Sequence, residues 1–205
     1  MNLFRKSTSV RIGRNYQKGK IKSSIKIIVA GTDRGVGATH FSVLMANYYR
    51  SIMKKKVAIV DLNKDDDYIR LKYAMGKELD SDSFVINSVT YYPKATKKTL
   101  EEIFSKEFEC IIIDVGNSYN KYKLEAGMCD KRFMITSMSP WKQNFVDLNL
   151  EEYQAYYNIN EWKQVFVFGG INNYAEIMEK IPFIESPYKI DRKILDVVRR
   201  IIGEE

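Results

Sequence analysis

Histidine occurs once in this 205-residue chain and cysteine twice, and each scarcity removes a class of chemistry. The two cysteines, Cys110 in ECIIID and Cys129 in GMCDKRF, have neither the spacing of metal ligands nor the density of a disulfide scaffold. Both read as free thiols, with Cys110 a core residue. No run approaches the ~20 apolar residues that a membrane-spanning helix needs, and no apolar signal core opens the sequence, so a cytoplasmic protein is expected. There is no repeat and no low-complexity tract. Acidic residues are missing altogether from residues 1–24, which hold Arg5, Lys6, Arg11, Arg14, Lys18, Lys20 and Lys22. Those side chains account for the whole net charge of +7, because the rest of the chain carries 26 basic and 26 acidic groups. The expected division is therefore a basic arm over 1–24 and one neutral folded domain over 25–205, a size that buries a good core. Such an arm suits DNA, an anionic membrane or an acidic protein, or it is simply a solvated tail.

What the folded part does contain is a regular alternation. Ile25–Gly31 is a short β-branched run ending in glycine, the pattern of a buried strand. Phe41, Leu44, Met45, Tyr48 and Ile52 then recur at helical spacing, up to three lysines at 54–56 that suit a helix C-terminus. Further strands are expected over 57–63, 84–92, 109–116, 132–138 and 164–170. The charged segment 63–73 reads as loop leading into helix, and further helices are expected over 96–106 and 141–156 and in RKILDVVRRII before Gly203. Continuously apolar strands that alternate with helices imply a three-layer α/β sandwich with a mainly parallel sheet.

Between the first strand and the first helix lies GTDRGVGATH, residues 31–40. Gly35 and Gly37 allow close backbone approach, Thr39 offers a hydroxyl, and the helix after them points its positive end at the loop. These are parts of a phosphate-binding loop. The lysine that should stand between the last glycine and the hydroxyl is missing, and Ala38 fills its place. His40, the lone histidine, falls in the helix's first turn, where a structural role is the default.

The loop resembles the deviant Walker A motif of the MinD/ParA P-loop ATPases, whose KGGVGKT aligns with Asp33, Arg34, Gly35, Val36, Gly37, Ala38 and Thr39. In that family the first lysine reaches a partner's nucleotide across a dimer and the second grips the β and γ phosphates; here one is an acid and the other a methyl group. The resemblance extends to VAIVDLN, with Asp61 and Asn63 at the two positions of a DxD element, and to IIIDVG, with Asp114 at the Walker B acid. FVFGGINNY and IPFIESPY resemble the strand ends beside adenine, with Asn172 and Pro182 as candidate base contacts.

The resemblance therefore implies a P-loop NTPase fold. Its ATP site would be built from Arg34, Gly35, Val36, Gly37, Ala38, Thr39, His40, Asn172 and Pro182, and magnesium would be held through Thr39, Asp61 and Asp114. Asp61 and Asp114 could equally end strands in solvent, Thr39 could only start a helix, and Asn172 could belong to a plain turn. Loss of the lysines implies weak or absent ATP binding, and a switch or scaffold that organises a protein partner, similar to the TadZ/CpaE group of pilus and secretion positioning proteins. A homodimer is a further expectation of the family. Two other readings are an active partition ATPase that binds DNA through the arm, and a ligase like dethiobiotin synthetase, whose GTDTxVGKT loop is similar to GTDRGVG.

Overall fold

The computed structural model describes residues 24–78, 80–137, 139, 142, 162–167, 179–182 and 184–204. The basic arm up to residue 23, the helix expected over 141–156 except for Lys142, and Asn172 lie outside them. In chain order the elements are β1 (Ile25–Gly31), α1 (Ala38–Asn47), β2 (Val57–Asp61), α2 (Asp67–Ala74), β3 (Phe84–Ile86), β4 (Val89–Tyr92) and α3 (Lys97–Phe104), followed by β5 (Cys110–Asp114), α4 (Lys123–Gly127), β6 (Lys131–Ser137), β7 (Lys163–Val167), β8 (Glu179–Lys180) and α5 (Arg192–Ile202).

The strands form one eight-stranded sheet in the order β3-β4-β2-β5-β1-β6-β7-β8. Every pairing in it is parallel except β3 with β4. Side chains of a strand point alternately to its two faces, and the cores divide accordingly. Ile27, Val29, Ile59, Ile112 and Ile135 pack against α1 and α5 on one face. Ile28, Ala58, Ile111, Ile113 and Met134 pack with Leu100 and Ile103 of α3 on the other. Both faces are covered, so β2 and β5 are buried at every residue. This is the continuous apolar signature expected of parallel strands.

Three departures from the sequence pattern have local causes. The run 84–92 is a hairpin rather than one strand, because Asn87 (φ 49°) and Ser88 (φ 62°) both take left-handed backbone and pair Phe84 with Tyr91. Two consecutive positive φ values are those of a two-residue turn whose twist suits a hairpin. Helix α1 does not run on regularly to the lysines; Tyr48–Ile52 is a π-helical turn that buries both Tyr48 and Tyr49. The tyrosine rings meet edge-on at 5.5 Å, and the Tyr48 hydroxyl donates to Glu204 at 2.9 Å. The short α4 and β8 have no counterpart among the expected elements. At the C-terminus the expectation and the structure agree: Asp191 caps α5 by accepting from the Ile194 N–H at 2.8 Å, and Gly203 ends it in left-handed backbone (φ 72°).

Candidate functional site

The turn from β1 into α1 is built for close backbone approach. Gly35 (φ 72°) and Gly37 (φ 98°) take left-handed conformations that ordinary residues avoid. A Cβ at Gly31 would come within 2.7 Å of the Val36 side chain, so only glycine leaves room for the loop to fold back. Gly37 begins α1 without a side-chain cap, which leaves the first N–H groups of that helix for another acceptor. A cleft of about 620 Å³ opens over this turn, lined by Arg34, Gly35, Val36, Gly37, Ala38, Thr39 and His40. Pro182 also lines it, with Ile181, Ile184, Pro187 and Tyr188 and with Phe41, Val43 and Leu44 of α1. The lining thus combines the backbone of a glycine-rich turn with apolar side chains, a mix common in small-molecule clefts.

Charge at the cradle does not follow its shape. Asp33, Asp65, Asp67 and Glu185 line the cleft, against a single arginine, Arg34, among the described residues there. The Arg34 guanidinium is paired with Asp65 at 3.1 Å. His40 adds no charge at neutral pH, because burial lowers its pKa. Asp33 is countered by a residue the sequence pattern did not single out. The Lys142 ammonium lies 3.0 Å from Asp33 Oδ2 and also donates to the Arg34 carbonyl. Burial alone would raise the Asp33 pKa, but hydrogen bonds from Lys142 and from the Arg34 N–H hold it below the usual carboxylate value. Lys142 stands 109 positions along the chain, and only the pairing of β6 beside β1 brings it here.

The two strand-tip acids sit side by side, since Asp61 of β2 and Asp114 of β5 are register partners. Neither lines the cleft. Asp61 is buried and turned toward the β4–α3 connection, accepting from the Lys94 N–H at 3.2 Å and from the Asn63 N–H at 2.9 Å. Burial, aided by the Asp114 charge, raises its pKa to about 7 against the pull of those donors. Asp114 is also buried, and its pKa is raised chiefly by burial. Its Oδ1 accepts from the Gly116 N–H at 3.0 Å and its Oδ2 from the Tyr68 hydroxyl at 2.9 Å, and Thr39 adds a side-chain hydrogen bond. Tyr68, from α2, is the second residue missed by sequence reasoning. Asn63 is engaged locally, accepting from the Lys64 N–H at 2.7 Å.

This donor set fits magnesium only in part. Thr39 alone of the three expected metal residues lines the cleft, with Asp114 behind it and Asp61 turned away. No group of three or more His, Cys, Asp or Glu side chains among the described residues is placed to hold a metal ion. A magnesium ion here would draw most of its ligands from phosphate oxygens and water, as is usual for that ion at nucleotide sites.

Sheet order, the glycine-rich turn and the cleft above it together define a P-loop NTPase fold of the MinD/ParA type. The chain is similar to a chain of the MinC:MinD cell division protein complex of Aquifex aeolicus, with a TM-score of 0.60 at 16% identity over 89% of this chain and 97% of that one. It is similar to a putative plasmid partition protein of Borrelia burgdorferi bound to AMPPNP, with a TM-score of 0.59 at 14% identity over 88% and 98% of the two chains. A ParA family ATPase from Chlorobium tepidum gives a TM-score of 0.54 at 14% identity over 89% and 81%. At such identities the likeness is one of fold. Neither a protein-family profile nor a curated protein sequence matches the chain.

Proposed function

We propose that the chain is a degenerate MinD/ParA-like nucleotide switch or scaffold. It binds ATP weakly, turns it over poorly if at all, and organises or localises a partner assembly such as pilus or secretion machinery. The observation that carries this reading is a phosphate cradle with its backbone shape intact and Ala38 where its cation belongs. A charged hydrogen bond of the kind a lysine makes there is worth roughly 1.5–3 kcal/mol, or about 10- to 150-fold in affinity. Weak binding survives that loss. Turnover suffers more, because phosphoryl transfer depends on positioned cations and an oriented water, and a single catalytic arginine can be worth ~1,000-fold. Asn63 is an amide, and Asp61 and Asp114 are held by protein donors away from the cleft. Titration of the purified protein with ATP and magnesium, beside an Ala38→Lys variant, tests the proposal; sustained wild-type turnover at ordinary enzymatic rates would end it.

A second reading, a DNA-binding partition ATPase, draws on the basic arm and on the similarity to a plasmid partition protein. It requires DNA binding that falls steeply with salt and disappears when residues 1–24 are removed.

A further inference from the structure

We propose that Lys142 is a positioning residue for the phosphate loop: it clamps the tip of the loop to the β6 side of the sheet and cancels the charge of Asp33, so that the cradle tolerates an anion. The clamp holds two consecutive loop residues at once. Lys142 Nζ pairs with Asp33 Oδ2 at 3.0 Å and donates to the Arg34 carbonyl, while Asp33 Oδ1 accepts from the Arg34 N–H at 2.6 Å. A Cβ at Gly35 would lie 3.9 Å from the same ammonium. Behind the clamp the root of the loop is already tied to β6, through the Thr32 N–H to the Ile135 carbonyl at 2.9 Å and the Thr32 hydroxyl to the Thr136 hydroxyl at 3.1 Å. Lys142 extends that seam from the root to the tip.

The ion pair is partly sheltered, with side-chain exposures of 20% for Lys142 and 29% for Asp33. Asp33 lines the cleft. Without the ammonium, its ionised carboxylate would face any phosphate in the cradle from well within a screening length. The Arg34 guanidinium pairs with Asp65 instead. Shape and charge thus converge on one side chain from outside the loop. The charge-masking half of this proposal rests on the reading of the cleft as a phosphate site; the clamp half does not.

The test uses Lys142→Ala, Lys142→Arg, Asp33→Asn and the double variant Asp33→Asn/Lys142→Ala, each in the wild-type and Ala38→Lys chains. ATP with magnesium is titrated at low salt, and amide hydrogen exchange over residues 35–39 is followed without nucleotide. The expected result is about a tenfold loss of ATP affinity in Lys142→Ala, recovery in the double variant, retention in Lys142→Arg, and severalfold faster exchange of the loop amides in Lys142→Ala. Unchanged affinity and unchanged exchange in Lys142→Ala would overturn the proposal. Loss of affinity without recovery in the double variant would overturn the masking role and make Lys142 a direct phosphate contact. If the Ala38→Lys chain takes no ATP, the nucleotide reading fails, and hydrogen exchange still decides the clamp.

Discussion

The glycine-rich loop and the tips of β2 and β5 differ from each other in opposite ways. At the loop the backbone has left-handed glycines and an uncapped helix start, while Ala38 and Asp33 bring a methyl group and an acid to the cleft. At the strand tips the carboxylates remain, yet Asp61 and Asp114 are buried against protein donors and do not line the cleft. One region offers shape without a lysine among its described lining residues, and the other offers acidic groups without access to the cleft. Phosphate chemistry needs both in the same cleft, because a cation stabilises transferred charge only where it can reach it. The difference teaches that backbone geometry alone can shape the turn, while the acids at the neighbouring strand tips are held in hydrogen bonds to protein donors.

The contrast can be broken at either region. The largest effect is expected from Gly116→Ala: its backbone is left-handed (φ 52°), and a Cβ would fall 2.3 Å from Asn63 Oδ1. Strain and displacement together should destabilise the fold by about 2–4 kcal/mol in a denaturant titration; a near-neutral result would mean the tips are loosely packed. Next comes Ala38→Lys, which adds a positive charge to the loop. Calorimetry should show ATP affinity rising by about 10- to 150-fold, and no gain would mean that the loop's shape is also unfit. Tyr68→Phe removes a donor from buried Asp114 and should lower stability by about 1–3 kcal/mol. That loss should grow as pH rises, because the carboxylate needs its donor most when ionised.

The smallest effect is a slope. The native chain holds the Asp61 proton up to about pH 7, whereas an unfolded chain releases it near pH 4. The native state therefore binds more protons across that window, so stability is highest on the acid side and falls as pH rises through it. Thermal melts between pH 5 and 8 read the slope, and Asp61→Asn should flatten part of it even if the amide lowers stability at every pH.

Local features of the fold were legible because they are written in neighbouring residues. β1 was readable from its apolar run and terminal glycine, and α5 from its amphipathic pattern and from Gly203. The hairpin over 84–92 was not, because Asn87 and Ser88 interrupt an otherwise continuous strand-forming run without a glycine to mark the turn. Helix α4, five residues long, and β8, two residues long, are too short to show a period. The same division applies to the site. The loop residues that line the cleft are contiguous, so their order announced them. Tyr68 meets Asp114 across 46 positions and Lys142 meets Asp33 across 109, contacts that exist only once the sheet order and helix packing are set.

One small element also shapes how this molecule meets others. Strand β3 runs against the direction of the sheet and occupies the outer edge of β4 along only three residues, with Val85 turned half to solvent. A foreign strand approaching this flank would find too few free amides to zip onto. The reversed stub acts as a stopper on lateral growth, and it leaves recognition on this side to side chains rather than to backbone.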